Sequence, residues 1–103
     1  MKVSEFAREN GLRVLALPLD REIEGCYIGD LLSWVMGRAQ SGDAWITIMQ
    51  NQNVLAVASL SDVACVIFAE NVIPDEAVIS LAKEKGINLL CSERSAYELA
   101  KLL

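Results

Sequence analysis

A chain of 103 residues, 53% hydrophobic and 22% charged, can bury a core for one compact domain, which excludes wholesale disorder. Its formal net charge of −5 repels phosphate backbones and argues against nucleic acid as a partner, and no apolar run reaches the ~18 residues of a membrane span. Residues 1–10 are polar and amphipathic with no secretion-signal core, so a cytoplasmic protein is expected.

In chain order, the first predicted helix takes Ser4 as its N-cap and buries Phe6 and Ala7. Gly11 closes it, and Leu12 to Leu17 reads as a short apolar strand. The pattern of Ala7–Leu15 (helix end, glycine, strand) returns at Ala82–Leu90, as two such joints in any α/β fold do. Asp20 to Glu24 is a charged connection, and Cys26-Tyr27-Ile28 a second short strand. Asp30 is read as the cap of a helix from Leu31 to Ala39, with Leu31, Leu32, Val35, Met36 and Ala39 forming a wide apolar stripe. After the turn Ser41-Gly42-Asp43, Ala44 to Met49 reads as a buried strand.

Periodicity leaves Val54 to Leu60 open between helix and strand. The next strand, Ala64 to Phe68, decides it: two buried parallel strands need a crossover of about a dozen residues, usually helical. A helix is therefore expected there, with Asn51 or Asn53 as N-cap and Ser61-Asp62 at its end. Pro74-Asp75-Glu76 opens a helix to Lys85 with the stripe Ala77, Val78, Leu81, Ala82. Ile87 to Cys91 is a strand, and Ser92 or Ser95 caps a last helix carrying Ala96, Leu99, Ala100 and Leu103 on one face. Such alternation predicts an α/β fold in a single domain over residues 1–103, with a mainly parallel sheet of four to five strands and helices on both faces.

The chain has no histidine, which removes imidazole-based nucleophilic catalysis and the commonest zinc ligand. It has no Walker A loop and no G-x-G-x-x-G, so no nucleotide-cofactor motif either. No enzyme, no metal and no cofactor are expected. Gly25 and Gly29 fit tight turns or close backbone approach rather than a phosphate loop. The pairs Asp75/Glu76 and Glu22/Glu24 read as a helix start and a solvated connection. Cys26, Cys65 and Cys91 lie far apart and read as reduced thiols, with Cys91 the one candidate for reactivity. Trp45 reads as core. Trp34 sits on a helix with apolar residues on more than one face, and so is either packed internally or part of a self-interface.

Ligands of open parallel sheets bind beyond the carboxyl ends of the strands. Those ends carry Gln50, Asn51 and Asn53, then Glu70 and Asn71, then Ser92, whose side chains together offer donors and acceptors for a small polar or phosphorylated ligand. The same residues also suit plain caps and solvated turns.

Tyr27-Ile28-Gly29-Asp30-Leu31-Leu32-Ser33, Val35-Met36, Gly42-Asp43-Ala44-Trp45-Ile46-Thr47-Ile48, Asn53-Val54-Leu55-Ala56-Val57-Ala58 and Pro74-Asp75-Glu76 follow one another at informative spacings. On these residues the chain from Gly25 to its C-terminus resembles the DRTGG domain family. Those domains are small α/β modules similar in fold to the N-terminal domain of HPr kinase/phosphorylase. They occur within CBS-domain pyrophosphatases and phosphotransacetylases, and as stand-alone proteins encoded near iron hydrogenase or redox operons. The resemblance implies a non-catalytic regulatory module that forms a homodimer or docks on a partner, a redox enzyme among the candidates. It also implies sensing of a nucleotide-like ligand. A ligand sensor without a dimer role and a remote HPr serine kinase-like enzyme are the alternatives it leaves. No Asp-Arg-Thr-Gly-Gly string is present; by position, the turns Gln50–Asn53 and Ala69–Asn71 stand where relatives carry their signature turns. Losing glycine there hinders backbone approach to a phosphate, and Glu70 repels an anion.

Overall fold

Helices and strands alternate throughout the computed structural model, which describes residues 1–103. The order is α1 (Val3–Asn10), β1 (Arg13–Ala16), β2 (Gly25–Ile28), α2 (Leu32–Arg38), β3 (Asp43–Thr47), α3 (Asn53–Ser61), β4 (Cys65–Phe68), α4 (Glu76–Lys85), β5 (Leu89–Cys91) and α5 (Ala96–Leu102). The strands form one sheet in the order β1-β5-β4-β3-β2. β2 to β5 are parallel and β1 is antiparallel to β5. The expected α/β architecture is therefore present, with one antiparallel strand added.

Every crossover among the parallel strands steps to the adjacent position in the same direction, so α2, α3 and α4 fall on one face. Val35, Val54, Leu55, Val78, Ile79 and Ala82 pack there against Trp45, Val66, Phe68 and Leu89. α1 and α5 cover the opposite face, where Val3, Phe6, Ala7 and Leu99 meet Ala44, Ile46, Cys65, Ile67 and Leu90. Alternate residues of β3 and β4 thus feed two cores, which is why these strands read as unbroken apolar runs.

Residues 54–60 are helical, as the crossover argument requires. Gly11 and Gly86 end α1 and α4 at φ 67° and 75°, a left-handed conformation that costs glycine nothing. The strands that follow these two joints, β1 and β5, are antiparallel neighbours, with Val14 opposite Leu90.

Three expected caps are corrected. α1 starts after Lys2, and the Ser4 hydroxyl donates instead to Asp20, whose other carboxylate oxygen accepts from the Ser4 N–H at 3.0 Å. Asp30 does not cap α2. Its Oδ1 accepts from Thr47 Oγ1 at 2.7 Å and from the Ile48 N–H at 2.9 Å, joining the ends of β2 and β3. Gln52 holds the N-cap position of α3, while Asn51 accepts the Asn53 N–H at 2.9 Å in a turn just outside the helix. Ser95 does cap α5, reciprocally with Glu98. The stripe of α4 is rotated from expectation: Val78, Ile79 and Ala82 are buried and Ala77 is exposed. Leu31 and Met36 of the expected α2 stripe and Leu103 of the α5 face are also exposed.

Asn88 closes the amino end of the sheet. Its Nδ2 donates to Leu19 O and Ala64 O, and its Oδ1 accepts from the Leu19 N–H. Arg21 pairs with Asp62 at 2.9 Å and donates to Val63 O. Together they fasten the long connection after β1 beneath β4 and β5.

Candidate functional site

The carboxyl ends of β2 to β5 point to one rim of the sheet. β1 runs the other way, so its start, Gly11 to Arg13, reaches that rim as well. Within the parallel set the crossovers never reverse direction, so no cleft opens between two diverging helices there. The break in the winding falls between β5 and β1, and a hollow of about 360 Å³ opens at that place. Gly11, Arg13, Asn71, Ile73, Cys91, Ser92, Glu93 and Arg94 line it. A second rim hollow of about 200 Å³ lies over the ends of β2, β3 and β4, among Ile28, Asp30, Thr47, Ile48, Glu70 and Ala96.

The wall between the two is the turn after β4. Glu70 and Asn71 both occupy the left-handed region, at φ 58° and 60°. Two successive non-glycine residues in that region cost conformational energy, and asparagine tolerates it better than glutamate. Hydrogen bonds hold them there: the Glu70 N–H donates to Arg94 O and the Asn71 N–H to Ser92 O, both at 2.9 Å. Ser92 N–H donates to Phe68 O, and Ser92 Oγ accepts from the Arg94 N–H at 3.1 Å. The turns after β4 and β5 are thereby stitched into one rigid shelf.

The six residues expected at the rim are divided by this geometry. Asn71 and Ser92 come together in the larger hollow, and Glu70 lines the smaller one. Gln50, Asn51 and Asn53 are exposed on the approach to α3 and line neither. Gly11, Arg13, Cys91 and Arg94 belong to the larger hollow and were not among the six. Only the antiparallel setting of β1 brings Arg13 there, and that setting leaves no mark in the apolar pattern of residues 12–17.

Charge is distributed unevenly between the ends of the sheet. Both ion pairs, Arg21–Asp62 and the Met1 ammonium with Glu22 at 2.7 Å, lie at the amino end. At the carboxyl rim neither Arg13 nor Arg94 has a carboxylate partner. Cys91, the expected reactive thiol, is buried; burial pushes its thiol up, against a smaller opposing pull from Arg13. Burial pushes Cys65 up to about 12. The exposed thiol is Cys26, itself held up by partial desolvation and by Asp43. Cys91, expected as the candidate for reactivity, is thus buried, and Cys26 is the accessible thiol.

At β2 the sheet has a bare edge. Cys26 is exposed and Ile28 is 48% exposed, yet their register partners on the same face, Ala44 and Ile46, are fully buried beneath α5. Beside this edge an apolar hollow of about 340 Å³ runs between Cys26, Phe6, Ala100 and Leu103. Trp34 is half exposed, with the Arg38 guanidinium 3.8 Å from the ring centroid, which settles its location on the surface. Trp45 is core, and its Nε1 donates to Gly29 O at 2.9 Å. Gly25 and Gly29 are sites of close approach: a Cβ would meet Asp43 Oδ1 at the first and the Tyr27 ring at the second.

The profile of the DRTGG domain matches residues 19–103. No curated protein matches the sequence. Among solved structures, the chain superimposes on the CBS and DRTGG domains of the regulatory region of a Clostridium perfringens pyrophosphatase, crystallised with its activator diadenosine tetraphosphate. The TM-score is 0.75 at 12% identity, over 97% of this chain and 44% of that one. The chain thus spans less than half of that structure's length and shares its fold. No helix is long and apolar enough to cross a membrane.

Proposed function

The chain belongs to the DRTGG domain family, and on that premise we propose that it is a non-catalytic regulatory module that pairs with a second copy of itself and senses a nucleotide-like small ligand at its carboxyl rim. The observation that carries the pairing is the β2 edge. Gly25, Cys26, Tyr27 and Ile28 present no charge, no proline and no bulge, the devices that normally keep an edge strand from pairing. An antiparallel β2–β2 contact about a two-fold axis is self-complementary and extends the sheet through both copies. Ile28 and Ile48, with Leu31 just before α2 and Trp34 on it, then have apolar surface to meet; each of the four is between 47% and 58% exposed.

The absence of histidine supports a non-catalytic role. The activator bound to the pyrophosphatase regulatory region supports a nucleotide-like signal. Sedimentation velocity at micromolar concentration tests the pairing: a dimer is expected, converted to a folded monomer by Ile28→Lys. A wild-type protein that stays monomeric up to millimolar concentration refutes it. A thermal-shift series with adenine nucleotides tests the sensing, since a ligand of the native state raises the melting temperature.

A further inference from the structure

The ligand reading above rests on a whole rim; within it, we infer that the hollow between β1 and β5 is a seat for a phosphoryl group, with Arg13 and Arg94 as its recognition residues. This inference rests on the rim reading and narrows it to one place and one chemistry. Four observations converge on it.

The hollow is polar, with Ile73 and Cys91 its only apolar lining residues, and at about 360 Å³ it lies within the range of small-ligand sites. An apolar ligand has little to bury there. Two arginines from opposite ends of the chain, Arg13 and Arg94, line this one cavity, and neither has a carboxylate within ion-pairing distance. Elsewhere in the fold Arg21 is paired with Asp62 at the amino end and Arg38 is stacked on Trp34. A planar guanidinium fork matches phosphate oxygens two at a time, so a pair of them favours a phosphoryl dianion over a single carboxylate.

The floor of the seat is also rigid. Asn71, in the turn that keeps two residues left-handed, and Ser92, in the turn after β5, are held by backbone hydrogen bonds at 2.9 and 3.0 Å. The side-chain amide of Asn71, an exposed residue, makes no hydrogen bond within the protein, so it remains available as a donor. The acid expected to repel an anion, Glu70, lines the neighbouring hollow instead. Glu93 is the one carboxylate in the lining. It is exposed and weakens the seat without filling it.

The phosphoryl group can come free or carried on a nucleoside, and the probes separate the two. Inorganic pyrophosphate, AMP and adenosine are titrated into the ¹⁵N-labelled protein at constant ionic strength, following backbone amide shifts. Pyrophosphate, AMP or both are expected to move the amides of residues 11–13 and 91–94 in a saturable way. Pyrophosphate alone marks a free phosphate ligand, and AMP binding more tightly marks a nucleotide. Arg13→Gln with Arg94→Gln is expected to weaken binding by about tenfold or more, and Glu93→Gln to strengthen it. The Glu93 variant keeps the inference testable should the double variant misfold. Shifts that follow ionic strength alone, or that survive loss of both arginines, overturn it. Adenosine binding as well as AMP also overturns it, while leaving the wider sensing role standing; no response to pyrophosphate, AMP or adenosine anywhere on the rim removes both.

Discussion

At one edge of the sheet, β1 offers Arg13, a bulge between Val14 and Ala16, and then Pro18; at the other, β2 offers four residues with none of these. The β1 edge is finished in other ways as well. α4 lies against it, and Asn88 ties Leu19, just beyond it, to the body of the sheet. The β2 edge is left with Cys26 and Ile28 bare on a face where β3 is sealed by α5. Two helices on one face of a five-stranded sheet do not reach its last strand. The contrast teaches that edge protection here is selective: growth of the sheet is blocked on one side and open on the other, which is the condition for a closed pair rather than a filament.

The contrast can be broken or sharpened by substitution. The largest effect is expected from Leu99→Ala, which removes the fully buried anchor of α5 and costs about 4 kcal/mol in urea unfolding. A loss below about 1 kcal/mol would mean that α5 is not what seals β3. Asn88→Ala strips partners from Leu19 and Ala64 and is expected to cost about 3 kcal/mol. Its amide exchange should quicken first in β1, and uniform quickening would show that Asn88 does not secure that edge in particular.

Ile28→Lys is expected to raise the dimer dissociation constant by about a hundredfold, or about 2.7 kcal/mol, whereas Val14→Lys at the opposite edge leaves it unchanged. Equal effects from the two lysines would erase the difference between the edges. Glu70→Gly relieves a left-handed residue at the rim and is expected to stabilise by about 1 kcal/mol in thermal unfolding; a destabilised variant would show that no strain is held there.

The smallest effect concerns acid. The Ser4 hydroxyl and N–H hold the Asp20 carboxyl below its ordinary 3.8. A group lowered in the folded state contributes stability above its unfolded value, and this is lost as pH falls from about 3.8 through the folded value. Asp20→Asn should therefore be slightly less stable than wild type at neutral pH, with the gap closing on acidification. A constant gap in acid titrations would detach the effect from ionisation.

Much of this architecture is legible in the residues alone. The helix at 53–61 followed from the length needed to cross between two buried strands, not from its pattern, which is apolar almost all round. What escaped was whatever depended on distant partners. Ser4 and Asp30 look like caps, but each finds a partner 16 to 18 residues away in sequence that uses its oxygen. The orientation of β1 is hidden because Leu15 and Ala16 face the core equally well in either direction. That one uncertainty concealed Gly11 and Arg13 of the candidate site, since it decides whether Arg13 or Leu17 stands at the rim. The exposed cysteine was hidden for a separate reason: whether Cys26 is covered depends on β2 being last in the sheet, a property of strand order rather than of local sequence.

The position of β1 also bears on the order of assembly. It is synthesised before every other strand of this sheet, yet its sole partner, β5, emerges last, about 75 residues later. The units from β2 to β5 can dock one after another as they leave the ribosome, each against its predecessor. β1 must wait, without a strand partner, until residues 89–91 appear. Closing that long loop costs more chain entropy than any other pairing in the sheet, and the bulge and proline that blunt β1 as an edge in the finished protein would blunt it equally before β5 arrives.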